Sequence, residues 1–204
     1  MVTEKTRKKL IFATRNEGKI RELTALLAGL DIQVESLADY PDAPDVIEDG
    51  VTFQDNAVKK ARAAAAFTGC MAVADDSGLM VDALDGRPGV FSARYAGEDA
   101  TDENNIEKLL SALDGMPREK RGAAFRCVLV LYRPDGNCEA FEGVWKGKIA
   151  DAPAGEGGFG YDPVFIVPEY GKTVAELPIE LKNRLSHRAK AFKKLRERLA
   201  DMTM

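Results

Sequence analysis

Histidine is nearly absent from this chain: His187 is the only one in 204 residues, so multi-histidine metal centres and two-histidine proton relays are excluded. A catalytic centre here must run on carboxylates, lysines, arginines and backbone groups. Cysteine is scarce as well. Cys70, Cys127 and Cys138 are odd in number and form no CxxC pair, which removes a four-thiolate zinc site and fits buried or idle thiols in a reducing compartment. Long apolar runs are missing too, since Val128 to Tyr132 and Val164 to Val167 fall far short of the roughly 20 residues a membrane helix needs. The polar, basic start from Met1 to Lys9 is followed by an apolar run too short for a signal-peptide core, so no secretion is expected. Nor is there an excess of positive charge. Twenty-nine basic against 33 acidic residues leave a net charge of -4, which argues against a nucleic-acid partner. With 9 prolines, 45% hydrophobic and 30% charged residues, extended disorder is excluded as the main state. A cytoplasmic protein away from membranes, with residues 1–204 forming a single two-lobed domain, is the expectation; the sequence does not fix whether residues 1–9 are ordered.

What is present reads as alternating elements. Leu10 to Ala13 is a short buried strand, and after the turn Thr14 to Lys19 the residues Ile20, Leu23, Leu26 and Leu27 recur at helical spacing. Ile32 and Val34 alternate as a second strand, followed by a loop from Leu37 to Gly50 that carries five carboxylates. Thr52 caps a helix stopped by Gly69, with Phe53, Ala57, Ala61 and Ala64 on one face. Met71 to Ala74 is a strand that ends in the turn Asp75-Asp76-Ser77-Gly78, and Thr101 caps a helix with Ile106, Leu109, Leu110 and Leu113 inward. Ala123 to Arg133 and Cys138 to Ile149 form a hairpin across Pro134-Asp135-Gly136-Asn137. Thr173 to Glu176 is a capping box, and a last helix follows Ser186. The order predicts an α/β fold with a mixed β-sheet flanked by helices.

Four stretches can carry chemistry. Thr14 to Lys19 joins a strand to a helix N-terminus, where unpaired amides and the positive dipole end suit phosphate; the plainer reading is an ordinary capped helix. Asp75 and Asp76, with Ser77 and Gly78, make an oxygen-rich turn of the kind hard cations such as Mg²⁺ prefer, although aspartates also cap turns. Glu48 can add a third oxygen ligand, but the residues alone do not choose it over Asp45 or Asp49. Gly155 to Gly160 satisfies GxGxxG literally, yet it leads into the strand-like Val164 to Val167 rather than a helix, so it is no dinucleotide fingerprint. Phe159 and Tyr161 in that loop offer rings to a nucleobase, while the plainer reading of Phe159 is that it plugs the core. Lys182, His187 and Arg188 place donors around the start of the last helix; a Ser186-His187 hydrolytic pair is rejected because sequence neighbours rarely point together.

Six ordered blocks, Thr14-x-Asn16-x-x-Lys19, Glu48-x-Gly50-x-Thr52-Phe53 with Asn56-Ala57-x-x-Lys60-Ala61, Asp75 to Leu79, Pro88 to Arg94, Gly157 to Pro163 and Ser186-His187-Arg188, resemble the inosine triphosphate pyrophosphatase family from Leu10 to about Leu199. The resemblance implies a Mg²⁺-dependent enzyme that cleaves dITP, ITP and XTP between the α and β phosphates, usually as a homodimer. It also implies an elongated sheet in two lobes with a central nucleotide-binding cleft. By the same resemblance Thr14, Asn16, Lys19, Lys60 and Lys182 clamp the triphosphate, with Arg15, Glu17 and Gly18 completing the substrate-binding turn. Asp76 is the general base, Glu48, Asp76 and Asp75 hold the metal, and Ser77 touches the nucleotide. Phe159 stacks on the base, Gly160, Tyr161 and Asp162 complete the pocket, and His187 and Arg188 donate to the 6-oxo group. Arg15 stands where members often carry glycine or another small residue, and Ile47 where some carry an acid. Two alternatives remain: a related house-cleaning pyrophosphatase for modified pyrimidine or canonical triphosphates, and a nucleotide-binding module without turnover.

Overall fold

The structure, a computed structural model, describes residues 8–203. Of the basic lead, residues 1–7 lie outside the described residues, while Lys8 and Lys9 open the first strand. In chain order the elements are β1 (Lys8–Phe12), α1 (Glu17–Leu26), β2 (Ile32–Ser36), α2 (Phe53–Thr68), β3 (Met71–Val81), α3 (Asp102–Ala112), β4 (Gly122–Tyr132), β5 (Cys138–Ile149), β6 (Phe165–Val167), β7 (Lys172–Thr173), α4 (Ile179–Leu185) and α5 (His187–Thr203), interspersed with short 3₁₀ turns. The strands form one sheet in the order β2-β1-β3-β4-β5-β6-β7. β1 pairs in parallel with both β2 and β3, whereas β6 pairs antiparallel with β5 and β7, so the sheet is mixed as expected. Among the described residues no helix is long and apolar enough to cross a membrane.

The chain divides into two compact units, and the division runs through β3, β4, β5 and α5 rather than through a linker. The first comprises the residues up to Asp76, Val128–Glu142 and the residues from Ala191 on. Its core centres on β1, whose Leu10, Ile11 and Phe12 are fully buried, the signature of a parallel strand covered on both faces. Ala57 and Ala61 on α2 are fully buried as well, and these small side chains let the helix pack closely on β1. Phe12 meets Phe192 of α5 edge to face, with centroids 6.1 Å apart. The second unit, Ser77–Cys127 and Gly143–Lys190, has its own core of Leu79, Leu109, Phe125, Trp145, Val164 and Phe165.

Gly147 in β5 shows how tightly that second core is built. A Cβ there would collide with the Ile166 carbonyl and lie 2.5 Å from the Phe165 ring. Gly147→Ala is therefore expected to cost about 1–3 kcal/mol of stability through overpacking, measured by chemical denaturation. An unchanged denaturation midpoint would show that the Phe165 ring yields freely.

The caps fall where the sequence places them. Thr52 and Asp55 form a capping box on α2, which ends at left-handed Gly69, and Thr101 with Asn104 does the same for α3. The hairpin turn closes through Gly136 N–H on Arg133 O at 2.9 Å and Arg133 N–H on Asn137 O at 2.9 Å. Two features differ from the sequence reading. Asp75-Asp76-Ser77-Gly78 is no turn, because β3 runs unbroken from Met71 to Val81. The helix α4, which carries Lys182, has no sequence signal: it follows Pro178, has no side-chain cap, and is too short to show a periodic face.

Candidate functional site

The first unit gathers the phosphate-type turn and the acids. Thr14 Oγ1 accepts the Asn16 N–H at 3.2 Å, and Asn16 Oδ1, as the cap of α1, accepts the Lys19 N–H at 3.1 Å. Gly18 sits against that cap, since a Cβ would lie 3.2 Å from Asn16 Oδ1. Glu17 is exposed and pairs with Arg21 at 3.4 Å. Lys19 reaches β3, where its ammonium donates to both carboxylate oxygens of Asp75, at 2.9 and 2.8 Å. Asp75 is only 2% exposed, so the lysine compensates a carboxylate that burial would otherwise penalise. Lys60 of α2 pairs with Glu48 at 3.1 Å, so the loop carboxylate nearest this lysine is Glu48, while Asp45 and Asp49 go to Arg15 and Lys59. The lysine beside Asp49 holds that carboxyl below the usual range.

Asp76 follows Asp75 in the same strand, where successive side chains project to opposite sides, and the two take different partners. Asp76 Oδ2 accepts from Asn56 Nδ2 at 2.9 Å. Among the described residues no three Asp, Glu, His or Cys side chains are gathered as a cation site. Asp75 and Glu48 each turn to a lysine instead. Both of these ion pairs line one cavity of about 370 Å³, with Thr14, Arg15 and the apolar Leu37 and Phe67. Arg15, expected to bind substrate, directs its guanidinium at the acidic loop, donating to Asp45 Oδ1 at 2.7 Å and Ala43 O at 2.9 Å.

The second unit gathers the aromatic loop. Phe159 is 63% exposed. Its backbone N–H donates to Asp162 Oδ2 at 2.9 Å, and the next N–H, of Gly160, donates to Asp102 Oδ2 at 2.6 Å, so two carboxylates pin the loop. Lys182 pairs with the buried Asp162 and holds its ammonium 4.2 Å from the Phe159 ring centroid. Gly158 has φ +81° and no room for a Cβ, which would strike the Asp162 carboxylate. The glycines thus serve close packing in a loop that leads through a 3₁₀ turn into β6, in keeping with the rejected dinucleotide fingerprint.

Tyr161 departs from the expected pocket role. It is 4% exposed, its hydroxyl donates to Ser92 O at 2.9 Å, and burial pushes its phenol pKa well up. It is a core residue that anchors the loop from beneath. Ser77 lies half-buried in β3. Ser186 caps α5 by accepting the Ala189 N–H at 3.1 Å, and His187 and Arg188, both half-buried, open that helix. The His187 ring stacks on Phe125, with centroids 5.0 Å apart and planes 17° off parallel. This support, like the Asp102 bond to the Gly160 N–H, has no sequence signal, because it joins residues about 60 positions apart by tertiary packing.

Comparison with known proteins fits this picture. The model of the Ham1 family matches residues 10–198. The chain is 56% identical over 191 residues to a dITP/XTP pyrophosphatase of Geobacter sulfurreducens, covering 94% of this chain and 96% of that protein. It is 57% identical over 195 residues to the dITP/XTP pyrophosphatase of Geobacillus kaustophilus, covering 96% of each. The solved structure of a HAM1 protein from Coxiella burnetii superposes with a TM-score of 0.91 at 43% identity, over 95% of this chain and 99% of that one. A family model that spans all but the chain ends, relatives more than half identical along nearly their whole length and a matching solved fold lead to one conclusion: this chain belongs to the Ham1 family.

Proposed function

We propose that this protein hydrolyses the non-canonical purine nucleotides dITP, ITP and XTP to the monophosphate and pyrophosphate, and so removes damaged precursors from the nucleotide pool. The observation that carries this reading is the cavity in which Lys19 and Lys60 alternate with Asp75 and Glu48. A site for an anion alone gains nothing from carboxylates, and a site for a cation alone gains nothing from lysines. A triphosphate bound together with a divalent cation answers both. Relatives named dITP/XTP pyrophosphatase support the same activity.

The donor set is that of a hard cation. Mg²⁺ is commonly held by one or two carboxylates together with substrate phosphates rather than by a protein cage, so the separate placement of Glu48, Asp75 and Asp76 fits it. Glu48 and Asp76, with Asp75, would hold it, and it would supply charge neutralisation at the phosphates. Lys19 and Lys60 each hold a carboxylate partner that they can exchange for a phosphate oxygen, keeping the site compensated in both states. Thr14, Asn16 and the amides of Glu17 and Gly18 present the start of α1 to the phosphates. Asp76 takes the proton from the attacking water, and positioning and electrostatics do most of the remaining work.

Base reading is assigned to Phe159, Gly160, Asp162, His187 and Arg188, with Ser77 on the nucleotide and Lys182 assigned to the triphosphate. Phe159 presents an exposed ring for stacking, and His187, held flat on Phe125, donates with Arg188 to a 6-oxo acceptor. Adenine offers an amino donor at that position and leaves both groups opposed, a mismatch of the kind that discriminates strongly. The whole chain acts as one two-lobed domain and forms a homodimer in the cytoplasm.

Product analysis tests the reading. With dITP and Mg²⁺, dIMP and pyrophosphate are expected; release of free phosphate would instead identify a phosphatase. A parallel assay with dUTP and dATP separates the modified-pyrimidine and canonical alternatives, since faster turnover of either would overturn the purine 6-oxo assignment. Binding without turnover would leave a nucleotide-binding module.

A further inference from the structure

Asn56 lies in the first turns of α2 and is 1% exposed. Asparagine is a poor helix former, and the rest of α2 is rich in alanine and lysine, so this buried amide is not there for the helix. Its two ends are both engaged. Oδ1 accepts the Gly50 N–H at 2.8 Å, and Nδ2 donates to Asp76 Oδ2 at 2.9 Å. Because a backbone N–H can only donate, the amide has one orientation, and its NH₂ must face Asp76.

Gly50 makes this possible by close approach. A Cβ on Gly50 would lie 2.6 Å from Asn56 Oδ1 and 2.7 Å from Asp55 Cβ, so any side chain would push the loop off the helix. Glu48 stands two residues before Gly50 in that loop, and it pairs with Lys60, which lies four residues beyond Asn56 and hence on the same side of α2. One helix face therefore grips the loop through Lys60 and Gly50, and β3 through Asp76.

We propose that Asn56 is a positioning residue for the hydrolysis: by holding the Gly50 backbone and the Asp76 carboxylate at the two ends of one amide, it sets the separation of Glu48 from Asp76, the carboxylates that share the divalent cation. The inference rests on the roles proposed above for those two acids. Outer partners that orient metal-binding carboxylates typically account for about 10- to 100-fold in metal affinity or activity.

Asn56→Leu tests it with little change of size and no added charge, since the apolar side chain neither accepts from Gly50 nor donates to Asp76. The expected result is a kcat on dITP about 10- to 100-fold lower and a comparable rise in the Mg²⁺ concentration for half-maximal rate, with little change in KM for dITP. Binding of Mn²⁺ with a non-hydrolysable dITP analogue, followed by electron paramagnetic resonance, should weaken by a similar factor. A folded Asn56→Leu protein with wild-type metal affinity overturns the proposal, because a merely structural amide would alter the melting temperature alone. Should Asn56→Leu not fold, Gly50→Ala, which disturbs the loop end, decides by the same two measurements: a raised metal requirement supports the proposal and an unchanged one overturns it. An active Asp76→Asn enzyme would remove the reading beneath the inference; an inactive one beside an unimpaired Asn56→Leu would remove the inference alone.

Discussion

Asp76→Asn is expected to lower kcat on dITP by about 10²- to 10⁴-fold, the range that a positioned general base contributes, while the nucleotide still binds. The substitution is clean for a structural reason. Asp76 Oδ2 is an acceptor for Asn56 Nδ2, and the new side-chain carbonyl can accept the same bond, so the fold loses no partner at that point. The substitution removes the charge with which Asp76 would accept the proton and help hold the cation. Single-turnover rates give the chemical step, and calorimetric titration with a non-hydrolysable dITP analogue gives the affinity. A variant that turns over normally would dismiss Asp76 as the base; one that loses binding in proportion to activity would make Asp76 a binding residue instead.

Lys19→Met carries the largest expected effect on stability. Asp75 is 2% exposed and its carboxylate receives two short hydrogen bonds from the Lys19 ammonium, itself about one quarter exposed. Taking away one partner of a buried pair typically costs about 3–5 kcal/mol, and the partial exposure of Lys19 places the loss toward the lower end. Asp75→Asn in the same background should recover much of it, because a neutral amide no longer needs the cation. Urea denaturation of the two single variants and the double variant measures the coupling. Additive effects would show that Lys19 and Asp75 stabilise the fold independently. The same Lys19→Met protein is expected to bind the triphosphate more weakly, so one side chain serves the fold of the empty site and the affinity of the filled one.

Much of the local structure was legible in the chain. Thr52 with Gly69, Thr101, the Pro134 to Asn137 turn and the fully apolar β1 each carry their own signal, because caps, tight turns and two-sided burial act on residues a few positions apart. Elsewhere the local chemistry is ambiguous. Asp75-Asp76-Ser77-Gly78 has turn composition, yet β3 continues through it because Lys19 and Asn56 supply the partners that two adjacent aspartates would otherwise seek in their own backbone. α4 carries no sequence signal because seven residues cannot display a helical period.

By itself, then, the sequence determined the α/β class, the ends of most elements and, through six ordered blocks, the family. Charge and spacing also narrowed the chemistry to carboxylates and lysines, since only one histidine was available. Which acid meets which base was decided by tertiary structure alone: Lys19 with Asp75, Lys60 with Glu48, Lys182 with Asp162 and Asn56 between Gly50 and Asp76 join residues from 6 to 56 positions apart. The same holds for Tyr161, which composition offered to a ligand and packing gave to the core. Pairings of this kind depend on the distance left between side chains once helices and strands have packed, and no pattern of neighbouring residues encodes that distance.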